Sequence, residues 1–491
     1  MRDSRSRANL ILLAATLLVA GAILTATLLV PPIVGLADNG DSDRVLNPAG
    51  LEHESARDEE RYFQWMQPRF TRVARVPDPS YYRTSESLLV EVALGADRAL
   101  SRAPSFDIRF LGAVHMLLLL ASLGLLVRAC RDLPVALQIV VAALLVFFFT
   151  DVGYTASFNS VYSQTPSLLF LLLAAGVAAW AVRRGRLEGV WLLAYFLCAA
   201  LFVCSKPQES VQAPLLALFG VRLAWPGGGR ARRTVAILLA VGLGGLAWRY
   251  YHSAQGSVGS TTRYNILFLE ILRHSPDPAR DLTELGLDPG WVRYAGIPPW
   301  GPRTPFADPA FRAHFEKGSG HPDPRTIFLR HPDRLFEVLA RTARVSYVLR
   351  PTDLGNFARE SGAAPLELAT RPAAWSRIRE RLTGFPWLVL FFAGNLAAAT
   401  VAWRRATLRG KLFREGMAVM LLMASGAFLA SAIGDFHGEI ERHLYVFHAL
   451  CDLILVADLA WLAKAILRSP EGIDRSSKNR QEGAVGVPYP R

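Results

Sequence analysis

Apolar residues run along this chain in long uninterrupted blocks, separated by short basic connections and by two much longer polar stretches. The blocks fall at approximately Leu10–Val30, Phe110–Val127, Val135–Thr150, Ser167–Val182, Gly189–Val203, Val211–Leu223, Val235–Tyr250, Pro386–Val401, Gly416–Ile433 and Leu444–Leu467. About 20 predominantly apolar residues are needed for a helix to cross the hydrocarbon core. Most blocks meet or approach that length, so the pattern predicts a polytopic, all-α membrane protein of about ten transmembrane helices. The fifth and sixth blocks are short, and Lys206, Pro207 and Pro214 interrupt them. Broken helices at membrane depth line protected cavities, because lipid cannot satisfy the backbone groups they free.

The polar stretches then fix the organisation. With the N-terminus in the cytoplasm, alternation places the short Arg-rich connections inside. It puts Asp38–Asp107 and Tyr251–Gly384 together on the extracytoplasmic side. The chain therefore divides into a cytoplasmic start and first helix (1–37), a first outer loop (38–108) and helices two to seven (109–250). A second outer loop or cap (251–384), helices eight to ten (385–467) and a disordered cytoplasmic tail (468–491) complete it. Both loops are expected to be mainly helical: SESLLVEVALGADRAL reads as an amphipathic surface helix, and further helices are expected over Tyr264–Arg273 and from Pro332 onward. The first block follows the basic start MRDSRSR and exceeds the apolar run of a signal peptide, so it is read as a retained anchor.

Composition sharpens this picture in two places. At 52% hydrophobic and 19% charged over 491 residues, the chain is excluded as a soluble enzyme. Its net charge of +13 sits at the ends of apolar blocks, as in Arg183, Arg184 and Arg186 or Arg404, Arg405 and Arg409. That is the positive-inside distribution rather than a nucleic-acid patch, so no nucleic-acid partner is expected. The four cysteines lie in or beside apolar blocks, and no disulfide framework is expected in the outer loops.

Candidate chemistry gathers at the outer ends of the blocks, where ionisable groups suggest a functional site. The turn after the first block carries Asp38, Asn39, Asp41, Asp43 and Arg44; it reads either as a general base or cation site, or as an acidic Asn-Gly turn. DVGYTASFNSVYSQTP supplies Asp151, Tyr154, Asn159, Ser160, Tyr162 and Gln164, a mixture of aromatic bodies and hydrogen-bonding groups that suits a sugar. SKPQESVQAP supplies Lys206, Gln208 and Glu209, with the lysine placed to grip a phosphate or to snorkel. GDFHGEIERHLYVFH supplies Asp435, His437, Glu439, Arg442 and His443, without the spacing of a zinc site. His115, inside the second block, is expected to be hydrogen-bonded within the bundle.

Taken in order, DNGDSDR with NPAGL, DVGYTASFNSVYSQ, SKPQ and ERHLYVF resemble the outer-face motifs of GT-C-type glycosyltransferases. The nearest likeness is to the bacterial hexose-transferase family of cell-surface glycan assembly, over most of the chain. The resemblance implies an enzyme of the plasma (inner) membrane with both termini cytoplasmic. It would transfer a sugar from a polyprenyl-phosphate carrier to a cell-envelope glycan or lipid-linked acceptor, with inversion. It implies Asp38 or Asp41 as the base, with Asp151 orienting that acid or sharing a cation with Asp38. A divalent cation, Mg2+ or Mn2+, is left open. Lys206, Arg442 and His443 would balance the charge of the departing lipid phosphate. Where the family motif ends in glutamate, this chain has Gln164, an amide suited to a sugar hydroxyl. A lipid-linked glycan polymerase or ligase and a non-enzymatic transporter or flippase are the rival readings.

Overall fold

The computed structural model describes residues 2–75, 82–101, 103–301, 303–317, 322–382, 387–401, 403–434 and 440–468. Each apolar block forms a helix: α1 is Arg2–Leu28, and after the first loop come α2 (Asp43–Ala49) and α3 (Ser85–Leu100). The bundle continues with α4 (Arg109–Ala129), α5 (Val135–Phe149), the single turn α6 (Val152–Thr155), α7 (Gln164–Arg184), α8 (Val190–Val203), α9 (Ala213–Ala224) and α10 (Arg230–Tyr264). After the second outer segment, which contains α11 (Pro332–Val345) and α12 (Ala374–Arg381), follow α13 (Trp387–Val401) and α14 (Leu408–Gly434). The short α15 (Ile440–His443) and α16 (Tyr445–Arg468) close the described chain. Among these, α1, α4, α7, α10, α14 and α16 are long and apolar enough to cross a membrane, and α5 with its bent continuation after Asp151 makes a seventh. Helices α8, α9 and α13 are shorter.

Helix α7 is the hub of the bundle, packed against α4, α8, α14 and α16. Small residues such as Gly176 and Ala178 let its neighbours approach closely, while Leu168, Leu169 and Leu172 fill the space between. Outward-facing positions remain apolar: Leu18, Leu117, Val190, Val241 and Trp461 are all exposed. Water would penalise such a belt, and lipid accepts it. The chain is thus a multi-pass, all-α membrane protein.

The first loop holds a feature absent from the helical expectation, a small antiparallel sheet of β1 (Leu51–His53), β2 (Arg69–Arg72) and β3 (Ser105–Asp107) in the order β1-β2-β3. Its register pairs Leu51 with Arg72 and Phe70 with Phe106, placing both phenylalanines inward. The amphipathic helix is present as α3. Thr84 caps it by accepting from the Glu86 N–H, and Leu89, Val90, Ala93 and Leu94 form its buried face.

The second segment begins later than the pattern predicts, because α10 runs 35 residues, well past Tyr250. It then widens into π-helical turns over Asn265–Ile271, within the Tyr264–Arg273 stretch where a helix was expected. Tyr264, Phe268, Phe311 and Phe315 stack into a compact core of its own. Helix α11 buries Val338 and Thr342 against it, as the periodicity from Pro332 predicts. The chain then returns across the first loop in extended form. Gly35 and Ala37 donate to the carbonyls of Asn356 and Gly355, while the Gly355 N–H donates to the Phe63 carbonyl and the Met66 N–H to the Phe357 carbonyl. These bonds hold the two hydrophilic segments together at one end of the bundle. The tail from residue 469 onward and residues 435–439, with Asp435, His437 and Glu439, lie outside the described residues.

Candidate functional site

The turn that leaves α1 is built around Asp38. One carboxylate oxygen accepts from the Gly40 N–H (2.9 Å) and the Ser42 N–H (3.2 Å); the other meets His53 Nε2 at 3.1 Å. Gly40 takes φ +98°, a left-handed conformation that a side chain would strain. Tyr162 fastens the turn from α7's side, its hydroxyl taking the Asn39 N–H at 2.8 Å and lying 2.8 Å from the Ala37 carbonyl. With Asp38 only 5% exposed, its carboxylate shapes the turn.

Asp41 points the other way. Its Oδ1 lies 2.9 Å from Arg44 Nη2, and its Oδ2 accepts from Arg442 Nη2 at 2.9 Å. The Arg442 guanidinium in turn lies 4.4 Å over the Tyr162 ring, a cation–π contact. Close packing of the turn works to raise the Asp41 pKa. Arg44, Arg442 and Lys206 outweigh it and hold the carboxyl well below the usual carboxylate range. The first, third and fourth clusters of the sequence thus meet here.

Lys206, Gln208, Glu209 and His443 complete the group. Gln208 donates to the His443 carbonyl (3.1 Å) and to Glu209 (2.9 Å), and its Oε1 accepts from His443 Nδ1 at 3.2 Å. Burial, Lys206 and Arg442 together push His443 well below its ordinary value. The shift favours the uncharged ring, whose Nδ1 orients Gln208. Burial lifts Glu209 to about 7, against the opposing pull of Gln208 and Lys206. A raised carboxyl contributes stability that is fully present below its unfolded value near 4.5 and is lost as pH rises through about 7. Glu209→Gln is expected to flatten the pH dependence of the melting temperature across that window and to stabilise the protein above it by about 3 kcal/mol. A Glu209→Gln melting curve that tracks wild type from pH 5 to 8 contradicts this.

Several polar groups of the tyrosine-rich stretch are engaged within the fold. Asp151 caps α6 through the Gly153 N–H (2.9 Å). It also takes the Trp375 N–H (2.9 Å), the Ser376 N–H (3.2 Å) and the Ser376 hydroxyl (2.7 Å) at the start of α12. One carboxylate caps two helices, so its contacts go to α12 and not to the first-loop acids. Tyr154 is fully buried and donates to Asp452 at 2.6 Å. Asn159 ties down the exit of α1 by donating to the carbonyls of Leu28 (2.9 Å) and Val34 (2.8 Å), and Ser160 bonds the Ser157 carbonyl. Gly112 makes room for that amide: a Cβ there would lie 2.1 Å from Asn159 Oδ1. Gly112→Ala is expected to cost about 1–3 kcal/mol, read as a lowered melting temperature. An unchanged melting temperature would show that the amide moves aside freely.

Gln164, the first residue of α7, lines a narrow cleft of about 10 Å3, room for about one water, with Arg442, Ser157, Tyr445, Arg350 and Asn356. This cleft lies where the first turn, the Asp151 stretch and the returning second segment meet, beside the Asp41 cluster. On its other side the turn offers a possible cation set: one ligand atom each from Asp38, Asp43 and His53 lie within 4.8 Å of one another. Burial and the neighbouring Asp38 both raise Asp43. Two carboxylates and an imidazole suit Mn2+ better than Mg2+, which prefers oxygen ligands. Asp151, which the resemblance pairs with Asp38, is not among these three residues.

Several residues escaped the sequence reading. Asp452, inside α16, accepts from Arg379 Nη1 (2.9 Å), Tyr154 and Trp375 Nε1 (2.8 Å). An acid within an apolar block was the available signal; Arg379, far away in the chain, gave none. Glu86 on α3 is buried 3.4 Å from His115 Nε2, while His115 Nδ1 donates to the Phe158 carbonyl (2.9 Å), the intrabundle bond expected of it.

Comparison with known families gives one match: the family model described as the YfdI N-terminal transmembrane domain matches residues 2–483. No curated protein and no solved structure matches the chain.

Proposed function

The chain belongs to the family of the YfdI N-terminal transmembrane domain, and from that premise we propose that it is a membrane glycosyltransferase. It moves a hexose from a polyprenyl-phosphate carrier to a cell-envelope glycan or lipid-linked acceptor on the extracytoplasmic face. The observation that carries the reading is the convergence of Arg44, Lys206 and Arg442 on Asp41 beside a narrow cleft. A lipid phosphate needs permanent cations at the bilayer surface, and an acceptor hydroxyl needs a carboxylate nearby. Both occur at the connection between α1 and α2.

In the proposed reaction the acceptor hydroxyl gives its proton to Asp41 as its oxygen attacks the anomeric carbon. The bond from that carbon to the phosphate oxygen breaks, and the polyprenyl phosphate leaves with the electron pair. Attack opposite the leaving group inverts the configuration. Arg442 and Lys206 stabilise the charge that develops on the departing phosphate. Gln164, on the cleft wall, supplies hydrogen bonds for sugar hydroxyls. A cation held by Asp38, Asp43 and His53 would stiffen the turn that carries Asp41 and add positive charge behind it.

The polar groups sit at one end of the bundle, which supports an enzyme over a transporter, whose binding site belongs at the bilayer midplane. The two readings separate in vesicles containing only purified protein and a radiolabelled hexosyl polyprenyl phosphate plus acceptor. Transfer yields label that is no longer released by mild acid, because the new glycosidic bond is more stable than the phosphate ester. Label that crosses the bilayer while remaining acid-labile overturns the proposal in favour of a flippase.

A further inference from the structure

The bridge made by Asp41 has a specific shape. Its two oxygens are each committed to a different guanidinium, Arg44 from α2 and Arg442 from α15, both at 2.9 Å. Arg442 is only 5% exposed, is fixed over the Tyr162 ring, and still lines the cleft. Arg44 is steadied by Tyr82, while Lys206 acts on Asp41, Glu209 and His443 alike. Asp353 is a further carboxylate acting on Arg442, from the returning second segment. Two arginines spanned by one carboxylate form an anion site, and the anion is the protein's own side chain.

We propose, resting on the transferase reading, that Asp41 is a placeholder in the phosphate subsite: the lipid phosphate displaces its carboxylate from Arg44 and Arg442. Arg44 thereby becomes a phosphate ligand that the resemblance does not supply. The donor's phosphodiester matches a carboxylate in charge and free oxygens, and the monoester it becomes on transfer brings more of both, so the two guanidiniums hold the departing phosphate more tightly than they hold Asp41. Displacement also frees the Asp41 carboxylate from both guanidiniums. Gly40, immediately before Asp41, gives the turn the backbone freedom to let the side chain swing.

Binding measurements on the full-length protein in neutral-lipid nanodiscs test this, with a polyprenyl monophosphate as probe. Polyprenol, inorganic phosphate and phosphatidylglycerol are the comparisons. Asp41→Asn and Asp41→Ala are expected to bind the polyprenyl phosphate about tenfold more tightly than wild type while losing transfer, because the internal competitor is gone. Arg44→Gln is expected to bind it about tenfold more weakly, with polyprenol affinity unchanged in every variant. Equal or weaker binding by folded Asp41 variants overturns the placeholder. If those variants fail to fold, Arg44→Gln decides: unchanged affinity overturns the subsite. Equal tightening toward inorganic phosphate or phosphatidylglycerol overturns the assignment to a polyprenyl phosphate and leaves a general anion site. Wild type that binds no polyprenyl phosphate while Asp41 variants also bind none overturns the transferase reading itself, whereas wild-type transfer with no gain in Asp41→Asn binding overturns only the placeholder.

Discussion

Arg379→Met is expected to destabilise the protein by about 3–5 kcal/mol, the largest stability effect of any single substitution considered. The guanidinium is buried, donating to Asp452 (2.9 Å) and to the Ser346 carbonyl (3.1 Å). Asp452 lies seven residues into the span that begins at Tyr445, about 10 Å along the helix. Removing the arginine strands a carboxylate in surroundings that cannot solvate it. Tyr154 and Trp375 still donate to it, yet they bring no charge. The second change Asp452→Asn removes the stranded charge, so the pair should regain most of the loss. Thermal unfolding in detergent reads both outcomes. A single variant that melts with wild type, or a double variant worse than the single, contradicts the account. The cluster also couples α12 in the outer segment to α16 in the bundle, so its loss should loosen the wall of the cleft.

Asp41→Asn should lower sugar transfer by about 10^2–10^4-fold, the range for removing a general base, while leaving the fold intact. Asp151→Asn should behave in the opposite way. Its carboxylate receives four hydrogen bonds from the starts of two helices, and an amide presents only one acceptor atom. The yield of folded protein should fall, while the molecules that do fold transfer sugar at near the wild-type rate. Specific activity must therefore be normalised to folded protein, measured by gel filtration of the detergent-solubilised variants. Loss of activity per folded molecule in Asp151→Asn, with Asp41→Asn unaffected, would move the base to the wrong acid.

The bundle was legible because lipid imposes a simple demand: every spanning backbone group must be satisfied within its own helix, and apolar side chains must face outward. Blocks such as Val135–Phe149 state that demand without ambiguity. The association of the two hydrophilic segments followed from parity of the spans. The meeting of Asp41, Lys206 and Arg442 was legible only as separate motifs at outer span ends.

What stayed hidden depends on long-range docking. Asp151 looks catalytic from its neighbours, because a helix-capping acid and a reacting acid have the same identity and the same loop position. Only the arrival of Trp375 and Ser376 reveals it as a double cap. Tyr154 and Asn159 mislead for the same reason: their hydrogen bonds go to α16 and to the exit of α1. His53 could not be placed at all, since β1 is too short for its alternation to announce a strand. Asp452 was within reach, as an ionisable residue inside a span always calls for a partner.

The most direct measurement follows both products of one turnover. Purified wild-type protein, given a hexosyl polyprenyl phosphate and a lipid-linked glycan acceptor, should release one polyprenyl phosphate for each new glycosidic bond. The transferred sugar should carry the anomeric configuration opposite to that in the donor. Retention of configuration, or consumption of donor without a new glycosidic bond, would contradict the central claim.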